Sequence, residues 1–303
     1  MNLEVKIGSA KFKNPVTVAS GTFGHAEKYF NLEEVKKLGA IVPKTVTLNA
    51  QEGNPPVRIV ETPSGMLNAI GIENPGAHRF ILEKLPAFQK TGVPLIISIL
   101  GHSDVQFEAI ARKFADVGGF AALELNLSCP NLNHKTLVAQ DPQATARIIK
   151  KVKKIVRVPV LAKLAPNVTD ITVIAKAAED AGADGLSLIN TFTGMVIDIE
   201  RKRSVLGNFT GGLSGPAIRP LAVHMVYSCA QKVKIPIIGM GGIACAKDAI
   251  EFILAGASMV AVGTMNFVDP RKPVEVLEGI KDYMKRHKAK SLGDIRGKVE
   301  KKK

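Results

Sequence analysis

Eight short apolar runs recur along this chain: Val16–Ser20, Ala40–Val46, Pro94–Leu100, Ala122–Leu127, Pro159–Ala165, Gly185–Thr191, Pro236–Gly242 and Met259–Thr264. Most are almost continuously apolar rather than alternating, the signature of parallel strands buried on both faces. The stretches between them change to a helical period. In "SDVQFEAIARKFADVGG", Phe107, Ile110, Ala111 and Phe114 form one stripe, with Ser103 or Asp104 to cap its start and Gly118 to end it. "TDITVIAKAAEDAG" repeats the plan and closes at Gly182, and "AKDAIEFILAG" closes at Gly256. Eight β-then-α units predict a (β/α)8 TIM barrel. A doubly wound open sheet is the competing architecture, but even repeats with no second domain favour closure.

The 303 residues then read as a single domain. A small hairpin within residues 1–15 closes the far end of the barrel, and residues 287–303 form a basic, partly flexible tail. Two connections, Leu48 to Pro75 and Phe192 to Gly215, are long for simple barrel loops. Both follow strand C-termini, where barrel active sites are assembled, so they are expected to cover a substrate.

The net charge of +14 invites a nucleic-acid partner. Its distribution weakens that idea: Lys285 to Lys303 hold nine Lys/Arg against two acids, a net +7. In "RIIKKVKKIVR" the lysines fall on the solvated face of a helix whose other face is Ile148, Ile149, Val152, Ile155 and Val156. The longest apolar runs are too short to cross a bilayer. Three widely spaced cysteines, Cys129, Cys229 and Cys245, predict reduced thiols in a cytoplasm, with no zinc or iron–sulfur ligand set on this chain.

Polar residues interrupt the apolar runs at their C-terminal ends, where a barrel would place its chemistry: Ser20, Lys44-Thr45, Asn126, Lys163 and Asn190-Thr191. A lysine inside a buried run needs an anionic partner. A structural ion pair, such as Lys163 with Glu124, is one answer; an anionic ligand is the other. "GMGGIAC" and "VGT" then end the last two runs, and glycines there let backbone N–H groups approach a phosphate. A dinucleotide fingerprint is rejected, because no acid ends the next strand to hold a ribose. A mononucleotide flavin, FMN, fits: Lys163 beneath the ring, with Gly241, Gly242, Gly263 and Thr264 at the phosphate. Asn68, Asn126, Asn131 and Asn190 pair donors with acceptors, matching the edges of a pyrimidinedione. Lys44 is placed to hold a substrate carboxylate. In "NLSCPN", Cys129 reads either as a small buried hydrophobe or as an acid/base group on a loop stiffened by Pro130.

The motifs "ASGTFG", "PKTVT", "NAIGIENPG", "NLSCPN", "LINT", "TGGLSGPAIRP", "IPIIGMGGI" and "AVGT" occur in the order and spacing of class 1 dihydroorotate dehydrogenases, which the chain resembles over almost its whole length. "GMLNAIGIENPG" and "GNFTGGLSGPAIRPLAVHMVY" are especially similar to the NAD-linked subclass, 1B. The resemblance implies oxidation of dihydroorotate in pyrimidine biosynthesis, with Cys129 as the base for C5 and FMN as the hydride acceptor. It implies Lys44, Asn68, Ala69, Ile70, Gly71, Ile72, Asn126, Asn190 and Thr191 around the substrate. Around FMN it implies Ser20, Lys44, Thr45, Asn126, Lys163, Ile189, Gly215, Gly241, Gly242, Gly263 and Thr264. It also implies a homodimeric core and a partner subunit with FAD and a [2Fe–2S] cluster in a heterotetramer. One departure is visible: many members have an asparagine on the third strand against the flavin, and this chain has Ser98. Cys129 argues against the membrane-bound class 2 enzymes, which use serine.

Rival readings are a fumarate-linked class 1A enzyme, a tRNA dihydrouridine synthase, a non-flavin phosphate-binding barrel enzyme and a silent FMN binder. The basic charge favours the tRNA enzyme, but no residues remain for its usual RNA-binding domain.

Overall fold

The computed structural model describes residues 1–24, 32–128 and 137–300. Its centre is a seven-stranded, all-parallel sheet of β3 (Val16–Val18), β15 (Met259–Val262), β14 (Ile237–Met240), β9 (Gly185–Leu188), β8 (Val160–Lys163), β7 (Ala122–Asn126) and β6 (Ile96–Ile99), in that order. The eighth predicted strand, Ala40–Val46, is not a regular strand. It makes two parallel bridges to the β6 side, Ile41 with Leu95 and Val46 with Ile99. Pro43 lies between those bridges and has no N–H to donate, which interrupts the ladder. The segment still closes the barrel on its other side. Gly39 N donates to Val16 O at 2.9 Å, and Thr17 Oγ1 donates to Ala40 O at 3.0 Å.

Helices cover this barrel: α1 (Leu32–Val35), α2 (Gly76–Arg79) and α3 (Leu85–Gln89), then α4 (Asp104–Val117), α5 (Pro142–Lys153), α6 (Ile171–Asp180), α7 (Arg219–Ala230), α8 (Ala246–Ala255), α9 (Met265–Val268) and α10 (Lys272–Arg286). Their ends are where the sequence places them. Ser103 caps α4 by accepting from Gln106 N, and Gly118 ends it at φ +65°. Asp170 caps α6, and Gly256 closes α8 at φ +120°. The α4 stripe of Phe107, Ile110, Ala111 and Phe114 is fully buried. Each large side chain of such a stripe contributes roughly 1.5–3 kcal/mol.

A hairpin of β1 (Val5–Ile7) and β2 (Ala10–Phe12) precedes the barrel. At the other terminus, residues 291–297 of the basic tail are docked. Ser291 bridges Asn2, Leu292 and Ile295 are buried, and Gly297 N donates to Ile253 O at 3.0 Å. Two apolar side chains in a basic stretch suffice to hold it down.

The two long connections do not stand apart. The first supplies β4 (Ile59–Thr62) and β5 (Gly65–Asn68); the second supplies β10 (Phe192–Gly194), β13 (Gly211–Ser214) and a short hairpin of β11 (Ile197–Asp198) with β12 (Arg203–Ser204). Four of these make one antiparallel sheet in the order β10-β13-β5-β4, with Gly212 opposite Asn68. Among the described residues, no helix is long and apolar enough to cross a membrane.

Candidate active site

At the C-terminal ends of the barrel strands lies a cavity of about 1090 Å³, large enough for a mononucleotide cofactor and a small substrate together. Ser20, Lys44, Thr45, Asn68, Ala69, Ile70, Gly71, Ile72, Asn126, Lys163, Ile189, Asn190, Thr191, Gly215, Gly241, Gly242, Gly263 and Thr264 all line it. Cys129 and Asn131 lie outside the described residues.

The barrel register explains the grouping. Asn126, Lys163 and Ser187 are neighbours across β7, β8 and β9, so the last polar positions of adjacent strands share one face. Lys163 is 5% exposed, and its Nζ donates to Ser20 Oγ at 3.1 Å. Among the described residues neither Lys163 nor Lys44 has a carboxylate at ion-pair distance. The expected structural alternative, a bridge from Lys163 to Glu124, is not formed: Glu124 Oε1 is buried without a partner among the described residues. Burial holds the Lys44 ammonium below the usual lysine range; Glu73 opposes that shift and the like charge of Lys163 reinforces it. Two cations on one cavity wall, neither ion-paired among the described residues, suit anionic ligands.

The loops after β14 and β15 fit a phosphate. Among the described residues, the N–H groups of Gly241, Gly242, Gly263 and Thr264 donate to no carbonyl or side chain. Gly242 is at φ +79°, and a Cβ there would lie 2.8 Å from Arg219 Cβ, so no side chain fits. A Cβ on Gly263 would meet nothing nearer than Ala19 Cβ at 3.6 Å; glycine there leaves open space on the cavity side. Short helix α9 starts directly after Thr264. By contrast, the N-terminus of α8 is already occupied. Ala244 N and Cys245 N donate to Asp248 Oδ2 at 2.8 and 3.0 Å, and Asp248 is paired with Arg219.

The asparagines divide their labour. Asn126 Oδ1 accepts from Ser128 N and Asn190 Nδ2, both at 3.3 Å, which leaves the Asn126 amide N–H groups for a ligand. Asn68 Nδ2 donates to Gly212 O at 3.2 Å, leaving its Oδ1 as an acceptor. Asn190 also donates to Ser128 Oγ at 2.7 Å and is thereby fixed. Donor and acceptor face one cavity, as the edges of a pyrimidinedione need.

Ser98 does not line the cavity. It is 1% exposed and its Oγ lies 3.0 Å from Thr45 Oγ1, so its role is to hold Thr45. Other lining residues carried no sequence signal. Ser128 and Asn167 sit just past strand ends, and Asn167 Nδ2 donates to Thr191 O at 3.3 Å. Their position one and two residues beyond an apolar run is the cue that could have found them. Burial pushes the Cys229 thiol up to about 12, which leaves it inert inside α7. No cluster of three or more metal-ligating side chains exists among the described residues.

Comparison with known proteins agrees with this geometry. The family model described as dihydroorotate dehydrogenase matches residues 2–284. A protein of Thermoanaerobacter pseudethanolicus named "Dihydroorotate dehydrogenase B (NAD(+)), catalytic subunit" is 48% identical over 301 residues, covering 99% of each chain. Proteins of the same name from Lachnoclostridium phytofermentans and Citrifermentans bemidjiense are 47% and 44% identical, with at least 98% of each chain covered.

Proposed function

Because the chain belongs to the dihydroorotate dehydrogenase family, we propose that it oxidises (S)-dihydroorotate to orotate as one FMN-binding domain, in the cytoplasm, and passes the electrons towards NAD. The observation that carries this reading is the pair of half-buried Lys44 and buried Lys163 at one cavity, neither with a carboxylate at ion-pair distance among the described residues. Both charges await ligands, one at the cofactor and one at the substrate.

FMN, when bound, would supply hydride-accepting chemistry opposite substrate C6. The chain's residues prepare that event. The N–H groups of Gly241, Gly242, Gly263 and Thr264 receive the phosphate, and Gly215 and Ile189 border the same site. Lys163, held by Ser20, which Thr45 fixes in turn, would supply positive charge beside the flavin ring. Asn126 and Asn68 orient the pyrimidinedione, with Asn190 and Thr191 beside them. Lys44 and the main chain of Ala69 to Ile72 take the carboxylate. Cys129, the base that the family resemblance implies, would take the C5 proton; an ordinary thiol titrates at about 8.5.

Reoxidation calls for a second protein. The relatives' name, catalytic subunit, supports a partner, and the family resemblance supplies its content: FAD and a [2Fe–2S] cluster, in a heterotetramer around a homodimer of this chain. The decisive experiment is anaerobic. The purified chain is expected to be yellow and to bleach on addition of dihydroorotate. A yellow protein that stays yellow would refute the substrate, and a chain that remains colourless after FMN reconstitution would refute the cofactor.

A further inference from the structure

The cavity wall from Ala69 to Ile72 is held by side chains that the chemistry above does not use. All four of its carbonyls are taken. That of Ala69 accepts from Asn54 Nδ2 at 3.0 Å, that of Ile70 from Asn54 N at 3.0 Å, that of Gly71 from Gln51 Nε2 at 2.7 Å, and that of Ile72 from Asn74 Nδ2 at 2.8 Å. The N–H groups of Ile70, Gly71 and Ile72 donate to nothing among the described residues. Gly71 and Ile72 are both left-handed, at φ +77° and +53°. For a β-branched residue that conformation persists only where its surroundings impose it. Successive N–H groups in such a turn form a concave anion site.

Asn54 and Gln51 are what impose it. A Cβ on Gly71 would lie 2.6 Å from Asn54 N, so the two loops touch through glycine. Gln51 is oriented in turn. Its Nε2 is committed to Gly71, so its Oε1 accepts from His102 Nε2 at 3.1 Å, which assigns the ring proton to that nitrogen. His102 sits between β6 and α4, where its own N–H donates to Gln106 Oε1 at 2.9 Å.

We infer that Gln51, Asn54 and His102 are positioning residues for substrate: Asn54 and Gln51, the latter oriented by His102, engage the carbonyls of Ala69 to Gly71 so that the N–H groups of Ile70 to Ile72 are presented to the substrate carboxylate. The inference rests on the dihydroorotate reading. It is tested on FMN-loaded protein by calorimetric titration with orotate and by steady-state kinetics with dihydroorotate. Gln51→Glu cannot donate to the Gly71 carbonyl and is expected to raise the orotate Kd and the dihydroorotate KM about tenfold. Its kcat should stay within about twofold and its FMN content unchanged, because the interaction is made equally in ground and transition states. His102→Leu should do the same, while His102→Gln, which keeps a donor, restores binding; this pair serves if Gln51→Glu does not fold. Orotate binding within about twofold of wild type in both Gln51→Glu and His102→Leu, or a fall in kcat and FMN content with KM unchanged, would overturn it. A wild-type chain that neither binds orotate nor bleaches fails differently, and takes the substrate reading down with it.

Discussion

Lys163 reaches the hydroxyl of Ser20 in the turn that follows β3, 143 residues away in sequence, at 3.1 Å. Ser20 also accepts from Thr45 Oγ1 at 3.3 Å. Thr45 has one proton, so Ser98 must be the donor in the 3.0 Å contact between their hydroxyls. The count leaves the Ser20 proton as the uncommitted one, and the cavity that Ser20 lines is where it can go. An ammonium thus polarises a hydroxyl that itself faces the ligand.

Replacing Lys163 with methionine keeps the stem and removes the charge. The FMN dissociation constant is expected to rise by roughly ten- to hundredfold, the worth of a charge-assisted hydrogen bond. Fluorescence titration of the apoprotein with FMN measures this, and an unchanged constant would show that the charge is not directed at the cofactor.

Lys44 predicts a pH dependence with a definite sign. Burial lowers its pKa below 10.5, and a bound carboxylate must raise it again. Linkage then makes substrate affinity full while the free-protein ammonium is protonated and weaker as pH rises through the lowered value. The KM for dihydroorotate should therefore climb on the alkaline side, starting below 10.5, and Lys44→Met should abolish that climb. A KM profile identical in both proteins would remove Lys44 from carboxylate binding.

The thiols should separate cleanly. Cys129→Ser is expected to slow dihydroorotate-driven flavin reduction by about 10²–10⁴-fold and to leave FMN bound. Cys229 is fully buried with its thiol pushed up to about 12. Cys229→Ser should therefore leave the number of thiols titrated by a disulfide reagent in the native protein at pH 8 unchanged. Loss of one reactive thiol in that variant would contradict the burial.

Asp248 joins the glycine loop to α7 through two N–H groups and the Arg219 guanidinium. It is 3% exposed, so Asp248→Ala strands the Ala244 and Cys245 N–H groups and leaves Arg219 paired with Glu251 alone. The cost should be about 3 kcal/mol in urea denaturation, with weaker FMN binding as a second readout. Stability within about 0.5 kcal/mol of wild type would mean that water replaces the carboxylate.

Most of the barrel was legible because its signals are local. Continuous apolar runs gave seven of the strands, and capping residues such as Ser103, Asp170 and Gly256 gave helix ends. The cavity residues were legible where a polar side chain broke an apolar run, as Lys163 and Asn126 do. What escaped depends on distant pairing. The strands β5 and β13 are four residues each and their pairing spans 144 positions, from Asn68 to Gly212, so no period announces them. Gln51 and His102 lie in two polar loops, and only the fold makes them neighbours. Pro43 concealed the opposite error: its run is apolar enough for a strand, but its missing N–H prevents a regular one.

The shared sheet of β4, β5, β10 and β13 has a consequence for descent as well as for design. Because β5 lends its edge to β13, neither connection has a finished hydrogen-bond ladder without the other. A chimera that takes one of them from a distant relative would carry a mismatched seam at Asn68 and Gly212, inside the substrate cavity. The two segments should therefore be inherited, and transplanted, as a matched pair.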